Sequence, residues 1–164
     1  MSDKILSIEL AGGLGNQLFQ IATAYSLAKQ ENMELVFPEQ NFYSSWNTKE
    51  DRPPIWESYL KFTKNNFHLI SSDIIESIPW NVYEEQNFSY KRIQLSPDHK
   101  YHLLKGYYQS SHYFNKHKQY VKEILQIPEQ LLIEAKTFLS SNNIDWTSES
   151  NIVAHVRRGD YLLF

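Results

Sequence analysis

From Lys4 to Leu10 (Lys-Ile-Leu-Ser-Ile-Glu-Leu) apolar and polar residues alternate from Leu6 onward, and with the branched side chains this near period-two pattern predicts a strand. The next stretch, Ala11-Gly12-Gly13-Leu14-Gly15-Asn16-Gln17, is a glycine-rich turn. Beyond it Leu18, Ile21, Ala22, Tyr25 and Ala28 recur at helical spacing and predict a helix over 17–31. The apolar run from Met33 to Phe37, stopped by Pro38, predicts a second strand. Strand, helix and strand in that order make a βαβ unit, whose two strands pair in parallel.

Residues 38–100 show no sustained period, and Trp46, Trp56 and Trp80 are scattered there among Pro, Asn and Ser. Ile74–Ile78 and Asn81–Glu85 read as short elements, and His102 to Tyr107 as a strand. Ser110 or Ser111 is placed to cap a helix over 112–126 with Tyr113, Phe114, His117, Tyr120, Val121 and Leu125 on one side. Pro128 opens a further helix that runs to Leu139, with Leu131, Leu132, Ala135 and Leu139 inward, and Asn142-Asn143 closes it. Asn151 to Val156 is a nearly continuous apolar strand of the kind buried in parallel sheets, and Arg157-Arg158-Gly159-Asp160 follows at once. The pattern therefore predicts an α/β fold, an open parallel sheet with flanking helices. The expected organisation is one α/β domain over 1–150 and, over 151–164, the first strand and Arg-rich turn of a second domain cut short.

At 164 residues the chain suits about one domain, and the absence of cysteine excludes disulfides, Cys-ligated metals and a thiol nucleophile. A formal charge of −3 offers no basic field for nucleic acid, and no run is long enough for a membrane span or a signal peptide. The expectation is a soluble cytoplasmic protein, with peripheral contact at the inner face of a membrane left open. An exposed apolar strand at 151–156 would favour self-association.

Two clusters carry candidate chemistry. Gly12-Gly13-Leu14-Gly15-Asn16-Gln17 joins a strand to a helix, so free N–H groups at the helix start suit a phosphate, and the Asn16 and Gln17 amides suit sugar or phosphate oxygens. The alternative is a tight turn whose glycines serve positive φ, and spacing alone weighs the two evenly. It is not a Walker A loop, and Leu18 fills the third glycine slot of a dinucleotide fingerprint. The second cluster is His155-Val156-Arg157-Arg158-Gly159-Asp160. His155 and Arg157 share a strand face near its carboxyl edge, two guanidiniums suit a diphosphate, and Asp160 can orient an arginine or accept from a base or sugar hydroxyl. Its alternative is a solvated turn. No Asp-x-Asp pair is present to clamp a metal, and neither His99/His102 nor His112/His117 has ligand spacing.

Three blocks together resemble the α-1,2-fucosyltransferase family. They are Gly12-Gly13-Leu14-Gly15-Asn16-Gln17-Leu18-Phe19-Gln20, the stretch from Leu104 through Gly106-Tyr107-Tyr108-Gln109 to Phe114, and Val153-Ala154-His155-Val156-Arg157-Arg158-Gly159-Asp160-Tyr161-Leu162. The resemblance spans about 5–162; the later donor-domain segments of the family do not occur. It implies the amino-terminal half of a GT-B-like two-domain glycosyltransferase. The activity implied is inverting, metal-independent transfer of L-fucose from GDP-fucose to the 2-hydroxyl of a galactose-containing oligosaccharide, without any cofactor. By the same resemblance Arg157 binds the diphosphate and acts with His155 and Asp160 in catalysis. Gly13, Gly15, Asn16, Gln17 and Arg158 complete the donor pocket. The 164 residues alone are expected to be inactive. Two other readings stay open: a non-catalytic glycan- or nucleotide-binding module, and an NAD-dependent oxidoreductase built on Gly13-x-Gly15.

Overall fold

The computed structural model describes residues 3–39, 55–87, 89–150 and 152. The chain divides into two compact units, Met1–Pro128 and Glu129–Phe164.

In the first unit, β1 (Ile5–Ile8) leads through the glycine segment into α1 (Leu14–Glu31), and the chain returns as β2 (Glu34–Leu35), parallel to β1. The expected βαβ unit is present. Phe37–Pro38 then leaves as β3, which pairs in parallel with β4 (Leu69–Ile70) in a separate two-stranded sheet. The single apolar run 33–37 is thus shared between two sheets, and Pro38, which has no N–H to give, stands at its end. Next come a short helix α2 (Ser72–Ser77), β5 (Asn81–Glu84) and β6 (Tyr101–Lys105). The main sheet has the order β2-β1-β6-β5, and all of its ladders are parallel. This is the α/β, open parallel architecture expected.

Strand alternation sends Leu6, Ile8 and Leu10 into the core with Leu104, where Ile21, Ala24, Leu27 and Ala28 of α1 meet them. An aromatic group of Phe37, Trp56 and Phe67 extends this core, with Tyr25 of α1 against two of its rings. Each fully buried aliphatic side chain adds about 1.5–3 kcal/mol. His102, fully buried, is the polar exception on β6. Its Nε2 faces the His99 carbonyl at 3.0 Å, which fixes the proton there, and Nδ1 lies 3.1 Å from the Tyr83 hydroxyl as acceptor.

Two helix expectations need correction. The helix expected over 112–126 is broken into 3-10 turns at Ser111–Tyr113 and Asn115–His117, and only α3 (Lys118–Ile124) is α-helical. Tertiary contacts explain the break. The adjacent rings of Tyr113 and Phe114 pack on different partners, Tyr108 and Phe19, and Ser26 Oγ meets His117 Nδ1 at 3.0 Å. Ser110 does act as the cap, accepting from the His112 N–H. In the second unit α4 spans Glu129–Ser141, directly after Pro128, but it buries no residue, and Leu132 and Ala135 are exposed rather than inward. No helix among the described residues is long and apolar enough to cross a membrane.

Candidate functional site

The site is the carboxyl edge of the main sheet, where the segments leaving β1, β5 and β6 meet. In parallel sheets this edge collects ligands, because loops and helix N-termini converge there. Behind β1 the chain turns at Gly12, with φ +75°, a conformation that L side chains resist. A side chain at Gly12 would also collide with the Asn16 amide. Gly13 is extended and caps α1, its carbonyl accepting from the Gln17 N–H at 3.1 Å. The helix therefore begins at Leu14, three residues earlier than the periodicity predicts, because Gly13 and Gly15 carry no apolar side chain to register the pattern. Gly15 is helical and exposed, with nothing within 4 Å of an added Cβ among the described residues. Of the loop glycines that the tight-turn alternative would place at positive φ, Gly12 is there and Gly15 is not.

At this helix start the N–H groups of Leu14, Gly15 and Asn16 have no hydrogen-bond partner among the described residues. Three aligned donors at the positive end of an 18-residue helix form an anion-binding arrangement. No carboxylate lies in the first turn to compete for them.

The two side-chain amides differ in use. Asn16 accepts from Gln109 Nε2 at 2.6 Å, which ties the helix start to the segment after β6. Gln17 is buried and committed within the chain: Nε2 donates to the Gly12 carbonyl at 2.9 Å, and Oε1 accepts from the Ile55 N–H at 3.0 Å. Its amide holds the loop in shape.

Residues that sequence reasoning passed over complete the edge. Gln20, buried beneath the loops, accepts from the Ala11 N–H at 3.1 Å and donates to the Gly106 carbonyl at 2.8 Å. Glu85 Oε2 accepts from both the Tyr107 and Tyr108 N–H groups, at 2.8 and 2.9 Å, while Oε1 is buried without a partner among the described residues. Glu9, just past β1, is 8% exposed and lines a cavity of about 100 Å³ with Glu84, Glu85, Lys105, Gly106 and Tyr107. Burial pushes its carboxyl above the ordinary carboxylate range, Lys105 opposes that rise, and Glu84 adds to it. The signal for Glu9 was a lone acid in an apolar strand beside a glycine turn. For Glu85 no sequence signal existed, since its partners lie 22 and 23 residues away. Among the described residues no group of three His, Asp or Glu side chains could hold a metal ion.

Gly13, Gly15, Asn16 and Gln17 are thus brought together at one helix start. The second predicted cluster, His155, Arg157, Arg158 and Asp160, lies outside the described residues, as does the expected strand 151–156 apart from Ile152.

Residues 5–163 match the family model described as Glycosyl transferase family 11. The chain is 27% identical over 159 residues to mouse (Mus musculus) galactoside 2-alpha-L-fucosyltransferase Sec1, covering 96% of this chain and 39% of that protein. It is 27% identical over 169 residues to an Escherichia coli alpha-1,2-colitosyltransferase, covering 96% and 56%. With galactoside alpha-(1,2)-fucosyltransferase 2 of Pongo pygmaeus the identity is 26% over 159 residues, covering 96% and 42%. The chain thus spans about two-fifths to just over half the length of these relatives. No solved structure matches it.

Proposed function

The chain belongs to glycosyl transferase family 11, and from that premise we propose that it carries the glycine-loop domain of an inverting α-1,2-fucosyltransferase. The reaction moves L-fucose from GDP-β-L-fucose to the 2-hydroxyl of a galactose-containing oligosaccharide. One observation supports the donor half of this reading: the row of unpartnered N–H groups at Leu14, Gly15 and Asn16, beneath the open space at Gly15. A diphosphate fits those donors, and their value grows as GDP departs and negative charge develops on it. The names of the three relatives agree on a bond to position 2 and differ in the sugar moved. They support the linkage more firmly than the donor.

In this reading Gly13 caps the donor helix, Gly15 leaves room for the diphosphate, and Asn16 and Gln17 keep the loop in place. Arg157 gives the leaving diphosphate a bidentate guanidinium, Arg158 adds charge, and His155 and Asp160 shape that cluster. These donors take over the charge neutralisation that a metal provides in other transferases, so no cation or cofactor is required. Residues 1–150 form the first domain of a GT-B-like pair, and 151–164 open the donor-binding domain.

The test is transfer by the native protein from GDP-fucose to a β-galactoside, with the linkage assigned by NMR. Fucose attached at O2 of galactose is the expected product. Release of GDP without transfer, or a bond at another position, counts against the reading.

A further inference from the structure

Glu9 is expensive for this fold. A carboxylate taken out of water needs hydrogen bonds or an opposite charge, and Glu9 is 8% exposed with no hydrogen bond to its carboxylate among the described residues. It faces the cavity of about 100 Å³ between the ends of β1, β5 and β6. Glu85 reaches the same cavity with one oxygen anchored by two N–H groups and the other buried and unpartnered among the described residues. The charges there are Glu9 just past β1, Glu84 at the end of β5 with Glu85 just past it, and Lys105 at the end of β6. Lys105 Nζ sits 3.6 Å from Glu84, so it is already shared. What is left is an excess of acceptors and negative charge, which repels a diphosphate and suits a neutral ligand rich in O–H donors. Tyr107 adds an aromatic wall for the C–H face of a sugar ring. Ala11, which immediately precedes Gly12, also lines the cavity, so it adjoins the glycine turn.

We propose that this cavity binds the hydroxyls of the acceptor sugar, with the Glu9 carboxylate accepting hydrogen bonds from a vicinal pair. The identity of that sugar as a galactoside rests on the fucosyltransferase reading; the polyhydroxyl chemistry of the cavity does not. The carboxyl edge then has two adjoining halves of opposite character. The helix start takes the anionic donor, and the carboxylate cavity takes the neutral acceptor.

The test uses the 164-residue chain and methyl β-D-galactopyranoside, followed through the amide resonances of Gly106 and Tyr107, with methyl L-fucopyranoside and GDP as separate arms. The galactoside is expected to shift and saturate both amides, and Glu9→Gln to weaken its affinity about tenfold, since a charged acceptor is replaced by a neutral one. Affinity should also fall with falling pH as Glu9 takes up a proton. The same variant should melt no lower than the parent, because it removes a buried charge; a purely structural Glu9 would lower the melting temperature instead. Silence of both amides toward the galactoside, unchanged affinity in Glu9→Gln, or preferential occupation by the fucoside would each overturn the proposal. GDP shifts at residues 14–16 report on the donor reading separately, so a failed sugar arm beside a positive GDP arm removes this inference alone.

Discussion

Gln20 donates through Nε2 to the Gly106 carbonyl at 2.8 Å, joining the first turns of α1 to the chain leaving β6 across 86 residues of sequence. Its Oε1 holds the Ala11 N–H in the same span, so one buried amide fixes both segments that border the site. Replacing it by Ala leaves one part-buried donor and one part-buried acceptor without this partner, each at a cost of up to about 1–3 kcal/mol. Gln20→Ala is therefore expected to lose about 2–6 kcal/mol in urea denaturation. A loss below about 1 kcal/mol would mean that the two segments hold themselves.

The two glycines of the loop should separate folding from ligand binding. Gly12→Ala places a side chain at φ +75° and against the Asn16 amide, a strain on the order of 1–3 kcal/mol. Gly15→Ala meets open space in a helical position and should be neutral or slightly stabilising, by up to about 1 kcal/mol. Yet Gly15→Val should weaken GDP binding, because its branches fill the space above the free N–H groups. Thermal melts and GDP titrations on the same samples give both readings.

His102 makes stability depend on pH. Burial depresses its pKa below the ordinary 6.5, outweighing the contact with the His99 carbonyl, which raises it; Lys4 also lowers it. Because the folded state resists the proton that the unfolded state accepts, its contribution is complete above about pH 6.5 and is lost as the pH falls below that value. Unfolding free energy should rise as the pH climbs toward about 6.5 from below, and that slope should shrink in His102→Gln. An unchanged slope would place the titration elsewhere.

For the arginine cluster, Arg157→Lys keeps the charge and removes the fork. A charge-assisted hydrogen bond is worth about 1.5–3 kcal/mol, so kcat should fall roughly 10- to 100-fold while the melting temperature stays within about 2 °C. Steady-state kinetics of the native protein check this, and near-parental turnover would remove the diphosphate role. Chelation with EDTA should leave the parental rate unchanged.

Strands β1, β2 and β6 were legible because each lies in a short apolar run, and α1 because it shows a clear helical period from Leu18 onward, whereas β5, Asn-Val-Tyr-Glu, has no apolar run and read only as a short element. The start of α1 was not, since Gly13 and Gly15 are silent in any hydrophobic pattern. The stretch 111–117 misled because its spacing fits a helix, whereas rings packed against Tyr108 and Phe19 bend it into 3-10 turns. In the site, the glycine motif announced itself locally. Gln20 and Glu85 act on backbone groups far away in sequence, and only the fold brings those groups within reach.

The central claim is that the start of α1 receives the donor diphosphate. It is tested most directly by titrating GDP into the isotopically labelled 164-residue chain and following backbone amides. The account predicts saturable shifts centred on Leu14, Gly15 and Asn16, reproduced by GDP but not by guanosine. Shifts elsewhere with these three amides unmoved would contradict it.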